Sequence, residues 1–389
     1  MKKLITIVAA LGLFVGALPA AGTAGPGPQG VSSDNVEQVT FLPFEAGTAT
    51  GANFFNQGKT KYMIITGWKT FSIYDVTDPA NPTIVGTPVP FGFKFENEDV
   101  ATNGRIMLFS ESLPQNILHI WDIEDVTNPV EIAQLPGAGQ HTTSCVLDCS
   151  WAYGSSGAIS DLRNPAKPKL MKEQWTDGLE AIGGHHDITE VAPGLVLSAS
   201  NPMVFLDARK DPRHPKLLAT SEPNEQVGEA PVHSNLWPRK GKDDFLLVTG
   251  ESWSPSNGGA QCTDDANQGF STWDGTQWKK THTFKRIDVF KAKNGMVVDG
   301  GSAVNAPFGC SSHWFTYHPK WKNGGLVAAG WYSHGTRVLK VDSKGKISEV
   351  GYFLPHAGGT SGAYWVGNEY IYAVDYQRGV DVLKYTGKA

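Results

Sequence analysis

The segment Asp75 to Pro82, Asp-Val-Thr-Asp-Pro-Ala-Asn-Pro, constrains the fold more than any other feature, because its pattern returns along the chain. It recurs as Asp122 to Pro129, as Asp161 to Pro168 and, more loosely, from Asp207 through Asp211 to Pro215. Proline fixes φ and offers no amide to a ladder, while Asp and Asn bond their own nearby backbone, so each copy ends one strand and turns the chain into the next. The copies lie 39 to 47 residues apart, close to the period of a four-stranded propeller blade. A repeat of this length is one supersecondary unit, and such units bury their apolar faces by stacking on one another.

That period lets the 389 residues form one closed array instead of two or three domains. The 44 glycines and 24 prolines suit a turn-rich, all-β chain, and 40% apolar residues supply a sizeable core. A net charge of −5 with no long basic run argues against nucleic acid as a partner. Met1-Lys2-Lys3, the apolar run Leu4 to Leu18 and the small residues Ala20, Ala21, Gly22 and Ala24 read as a signal peptide over 1–24, too short for a good membrane span. The expectation is a secreted or extracytoplasmic monomer without a membrane span, with 25–34 as a flexible leader.

Seven blades are expected over 35–389: an all-β, seven-bladed β-propeller. The first four follow the turns directly. The fifth begins at Val232, places its second strand at Phe245 to Thr249 and, after an insertion at 251–283, its third at Phe284 to Phe290. The sixth covers Ser312 to Leu354, and the seventh, from Gly359, supplies three strands. Val36 to Phe44 matches Glu349 to His356 of the sixth blade, so this N-terminal strand is expected to complete the last blade and close the ring. The turns at Asp75 to Pro82 and Asp122 to Pro129, with strands such as Thr70-Phe71-Ser72-Ile73-Tyr74-Asp75, resemble those of the LVIVD-repeat proteins, a group of secreted or surface β-propellers. The resemblance covers nearly the whole mature chain. It implies the fold and, since most members have no assigned activity, little about chemistry.

Aligning the repeats on their inner strands puts His186, His233 and His313 at one position, each followed within a few residues by a proline: Pro193, Pro238 and Pro319. The equivalent residue is Glu98 in the second blade and Thr143 in the third, where His141 lies two before it; His185 adjoins His186. Inner strands of a propeller run along its axis, so residues at their starts ring one mouth of the channel. Neutral imidazole suits Zn, Cu and Fe, and three protein ligands with a vacant position describe a site that activates water or, with Cu or Fe, handles dioxygen. His186, His233, His313, Glu98, His141 and His185 are thus candidate ligands of a transition metal ion. The bland alternative is a set of histidines bonded to backbone. His119 and His214 read as structural or solvent-facing.

On the same face are expected His334, His356, Trp253, Tyr376 and Arg378 as a small-ligand pocket, with Trp68, Glu111 and Glu251 nearby. Cys145 and Cys149 fit a local hairpin bridge, and a Cys262–Cys310 disulfide would tie the insertion down beside His313, the alternative being a plain surface staple. No Gly-rich phosphate loop, nucleophile elbow or zinc-protease helix is present, and adjacent Glu98 and Asp99 point to opposite faces, which disfavours a glycosidase pair. Two functions follow. One is an exported propeller whose axial metal acts on a small molecule as an oxidoreductase, hydrolase or lyase. The other is a noncatalytic surface or extracellular propeller that binds protein or glycan.

Overall fold

The Asp turns do locally what their residues dictate. Oδ1 of Asp75 accepts the amide of Thr77 at 2.8 Å, and the same bond joins Asp122 to Glu124, Asp161 to Arg163 and Asp207 to Arg209. It also persists where the proline pattern has decayed, from Thr276 to Asp274, from Lys344 to Asp342 and from Gln377 to Asp375. Each bond satisfies an amide that has just left its ladder, at the end of a third strand or, at Asp375, of a second.

The computed structural model describes residues 30–388 except 45–48, 93–97, 99, 113–114, 180–181, 223–231, 252–268, 293–309 and 357, and these residues form an all-β molecule. Its two helices, Pro238–Gly241 and Trp278–Thr281, are single turns, and no helix among the described residues is long and apolar enough to cross a membrane. The expected signal peptide lies outside the described residues.

The strands form five sheets. Three are four-stranded meanders: Gly51–Gln57, Thr60–Thr66, Thr70–Asp75, Thr83–Pro90; then Ala101–Thr102, Ile106–Glu111, Ile117–Asp122, Val130–Pro136; then Thr143–Val146, Trp151–Gly154, Ala158–Asp161, Lys169–Gln174. An eight-stranded sheet comprises the meander Gly183–Ala192, Leu195–Asn201, Val204–Asp207, Lys216–Ser221 and the meander Val232–Leu236, Phe245–Gly250, Phe270–Asp274, Thr283–Phe290. Their outer strands join through the parallel pairs Thr220↔Thr283 and Ser221↔Phe284. A nine-stranded sheet contains Trp314–Tyr317, Gly325–Gly330, Thr336–Val341, Ile347–Pro355 and, joined by the parallel pairs Trp314↔Gly362 and Phe315↔Ala363, Thr360–Val366, Tyr370–Asp375, Gly379–Tyr385 and Val36–Pro43.

Two expectations need correction. The third strand of the 232–290 segment is Phe270–Asp274, not Phe284 to Phe290, so the stretch 251–283 is not wholly an insertion: it holds this strand and the turn Trp278–Thr281. The leader 25–34 is not flexible throughout either, because Gly30–Ser32 pairs antiparallel with Ile347–Pro355. The N-terminal strand does pair as its sequence suggests, from Val36↔Tyr385 to Pro43↔Gly379, and Gln38 Nε2 donates to Asp381 Oδ1 at 2.6 Å.

Central strands such as Ile106–Glu111, Phe245–Gly250 and Thr360–Val366 are buried along their whole length, because both faces are covered by neighbouring sheets. The core accordingly lies between units. Phe55, Ile64 and Phe71 pack with Met107, Phe109 and Trp121 of the next sheet, while Met63 and Ile65 pack with Tyr372, Val374 and Val380 from the far end of the chain. Each large apolar side chain so buried contributes roughly 1.5–3 kcal/mol. The first strands touch in sequence and the circuit closes: Gly51–Gln57 on Ala101–Thr102, then Thr143–Val146, Gly183–Ala192, Val232–Leu236, Trp314–Tyr317, Thr360–Val366 and back to Gly51–Gln57.

Candidate functional site

The circuit decides which side chains meet. His186 and His233 lie in the first strands Gly183–Ala192 and Val232–Leu236, His313 immediately precedes Trp314–Tyr317, and His141 and Glu98 stand just before Thr143–Val146 and Ala101–Thr102. All five therefore sit toward the start of a first strand, at one end of the circuit. A sixth group arrives differently. Glu251 follows the second strand Phe245–Gly250, which runs antiparallel to Val232–Leu236 with Val232 opposite Gly250, so the chain returns to the same end.

The side chains converge. His141 Nε2 lies 2.7 Å from His186 Nε2 and 3.1 Å from Glu98 Oε1. Glu98 Oε2 is 2.8 Å from His313 Nε2 and 3.4 Å from His233 Nε2, and Glu251 Oε2 is 3.4 Å from His186 Nε2. Successive rings pack closely, with centroids 4.3 Å apart for His141 and His186, 4.0 Å for His186 and His233, and 3.8 Å for His233 and His313. His186, His233, His313 and Glu98 are buried, while His141 and Glu251 are partly open to solvent. Among the described residues the donors fall into three sets, each within 4.8 Å: Glu98, His141, His186; Glu98, His233, His313; and His186, His233, Glu251.

Burial and charge set the state of these groups. Burial alone pushes the Glu98 carboxyl up, but the charge of His313 and the nearby imidazoles of His141 and His233 outweigh it and hold Glu98 well below its usual value. Burial, with His313 beside it, pushes His233 down to about 3, and burial with His233 and His141 lowers His186. Burial raises Glu251. Neither ring nitrogen of His233, nor His186 Nδ1, nor His313 Nε2 has a hydrogen-bond partner, although a carboxylate oxygen lies close to each of the three rings. His313 is aimed by its other nitrogen, Nδ1, which is 2.6 Å from the Ser361 carbonyl.

A second layer holds the carboxylates. Trp314 Nε1 donates to Glu98 Oε2 at 2.8 Å, and the Tyr332 hydroxyl bonds Glu251 Oε1. The Tyr332 ring packs 4.4 Å from His313, with Tyr376 6.1 Å from His313 on the same side.

Other candidates are placed elsewhere or lie beyond description. His185 turns to the opposite face of its strand, half-buried against Trp175 at 5.3 Å, and is in none of the donor sets. Arg378 pairs with Asp381 at 2.5 Å and covers Phe41. His334 is fully buried beside Arg337, and burial with that positive charge pushes it down to about 4. His356 is half-buried in the turn after Ile347–Pro355. Cys145 and Cys149 are bonded, their Cα atoms 4.4 Å apart, and Cys310 is disulfide-bonded and buried. Trp253 and Cys262 lie outside the described residues. His119 is structural, held between Glu111 at 3.0 Å and Glu131 at 2.5 Å. Sequence reasoning missed Glu251 as a metal donor, and Tyr332 and Trp314 entirely. The usable signal was an acidic residue closing a second strand, as Glu111 also does.

No protein-family model and no curated protein matches the sequence, so the LVIVD resemblance rests on its turn residues. Solved structures do match in architecture. The chain is similar to the protein in "YCF48 bound to D1 peptide", with a TM-score of 0.52 and 10% identity over 96% of this chain and 100% of that one. It is similar to the WD40 repeats of RRP9, with a TM-score of 0.55 and 7% identity over 92% and 99%. It is also similar to YCF48 from Cyanidioschyzon merolae, with a TM-score of 0.53 and 12% identity over 90% and 98%. At such identities the likeness speaks for architecture alone, and with the closed circuit of first strands it makes this chain a β-propeller.

Proposed function

We propose that this is a seven-bladed β-propeller whose axial mouth binds transition metal through His141, His186, His233, His313 and Glu98 and uses it on a small molecule. One observation carries the reading: Nε2 of His233 and Nε2 of His313, both buried without hydrogen-bond partners, lie beside the same buried carboxylate oxygen, Glu98 Oε2. A buried polar atom left unbonded costs roughly 1–3 kcal/mol, a cost that an ion removes for both nitrogens at once. Two donors each about 2.1 Å from one ion, at right or tetrahedral angles, lie about 3.0–3.4 Å apart. The separations of 3.1 and 3.4 Å from Glu98 to His141 and His233 fall in this range, while those of 2.8 Å from Glu98 to His313 and 2.7 Å between His141 and His186 are shorter. A donor set of imidazole and carboxylate without thiolate suits Zn, Fe or Cu. Bound there, the metal supplies Lewis acidity or electron transfer. The chain's own part is to hold Glu98 through Trp314, to set Glu251 and Tyr332 at the open side, and to wall off water with buried aromatic rings.

Dividing the eight- and nine-stranded sheets at their short parallel junctions supports the blade count: it leaves four-stranded meanders, the last completed by Val36–Pro43, with Gly30–Ser32 as a fifth, outermost strand on the one before it. The basic start and apolar run at 1–24 support export, and the Cys145–Cys149 bond suits an oxidising compartment. A second reading is a noncatalytic propeller that holds an extracellular protein or glycan. The structural neighbours favour it, since one of them is bound to a peptide.

Elemental analysis of protein prepared without an affinity tag, with an activity screen on oxidisable and hydrolysable small molecules, separates the two. The metal reading expects transition metal in the native chain that is lost when His186, His233 and His313 are all changed to Ala. Metal-free protein that takes up no ion, and behaves like that variant, leaves the binding propeller.

A further inference from the structure

Resting on the metal reading above, we infer that the mouth holds two ions, not one, bridged by the carboxylates of Glu98 and Glu251. The observation is how the two carboxylates divide their oxygens. Glu98 turns Oε1 to His141, at 3.1 Å, and Oε2 to His313 and His233, at 2.8 and 3.4 Å. Glu251 divides the same way, with Oε2 3.4 Å from His186 and Oε1 3.9 Å from His313. One oxygen of each carboxylate therefore faces the His141, His186 pair, and the other faces His313 beside His233.

Donors around one ion would form a single set, because even opposite ligands at about 2.1 Å from a shared centre lie only about 4.2 Å apart. Here the donors group in threes. Two of the sets share Glu98 alone, and the third, His186 with His233 and Glu251, spans the seam between the pairs. Two ions bridged by carboxylates stand about 3.5–4 Å apart, a separation that one carboxylate group spans through its two oxygens. Trp314 on Glu98 Oε2 and Tyr332 on Glu251 Oε1 fix both groups in this straddling orientation.

Each ion then has two imidazoles and one oxygen from each carboxylate, with coordination positions left open. Two divalent ions against two carboxylates leave a net positive charge. The ligand class favoured between them is a small anionic oxygen donor: hydroxide, a carboxylate or a phosphoryl group.

The test uses the full chain, stripped by chelator and titrated with Cu(II), reading ions per chain by elemental analysis and spin coupling by EPR. The expected result is two ions per chain, an EPR intensity well below that of two isolated spins, and a half-field transition. Glu98→Gln, checked for native circular dichroism, is expected to lose the coupling and bind one ion. His141→Ala is expected to keep one ion at His233 and His313. One ion per chain at saturation in the unaltered protein overturns the two-ion centre and leaves the metal reading intact. Two ions with full, uncoupled intensity overturn the bridge, and no bound ion overturns the metal reading itself.

Discussion

His233 is fully buried with neither ring nitrogen bonded, an arrangement that costs stability unless a ligand arrives. Changing His233 to Ala is therefore expected to leave the metal-free melting temperature almost unchanged while weakening metal binding, by calorimetric titration, more than a change behind the ligands does. Trp314→Phe is such a change. It keeps an aromatic ring beside the histidines but removes the hydrogen bond that holds Glu98, and is expected to cost about 10–100-fold in affinity. A different residue adds a dependence on pH. Burial, with Arg378 opposing it, lifts Asp381 from 3.8 to about 7, so the folded chain keeps a proton that the unfolded chain releases. Its contribution to stability is full below 3.8 and is lost as pH rises through 7. Asp381→Asn stays neutral, so its melting temperature is expected to vary less than that of the unaltered protein across this range. The histidines of the mouth were legible in sequence because a repeat puts equivalent residues at equivalent heights. Glu251 and Tyr332 were not, since neither occupies the repeated position: one is delivered by the return of a second strand, the other by the turn after Gly325–Gly330.

At the scale of elements, the Asp turn is the recurring device, and its hydrogen bond outlasts its prolines. Asp122→Ala removes the acceptor for the Glu124 amide and is expected to cost about 1 kcal/mol by chemical denaturation, with the sheet retained. The same device explains the one strand misread from sequence. Phe270–Asp274 sits next to a stretch rich in Gly, Ser and Asn, and the turn that ends it, Asp274-Gly275-Thr276, has no proline to announce it. Five residues of mixed polarity carry little periodic signal, and only pairing with Phe245–Gly250 on one side and Thr283–Phe290 on the other makes them a central strand. Gly30–Ser32 was hidden for a similar reason: three residues added to an edge are fixed by their partner, not by their own preference.

For the whole molecule, closure was the most legible property, because the strand missing from the last unit had a recognisable counterpart at the other end of the chain. Deleting the residues before Gly51 leaves the edge of Gly379–Tyr385 unpaired and breaks the packing of the first and last units. The truncated chain is expected to melt at lower temperature, over a broader range, and to self-associate by light scattering. For the metal centre proposed above, the circuit also bears on when an ion would enter. No single unit owns more than two of the six donors, so a nascent or half-assembled chain offers an ion only weak, partial purchase. On the proposed metal reading, high-affinity uptake has to wait until the circle is shut, and the species retained then reflects the supply in the surroundings where assembly finishes, whatever the abundance of ions at the site of synthesis.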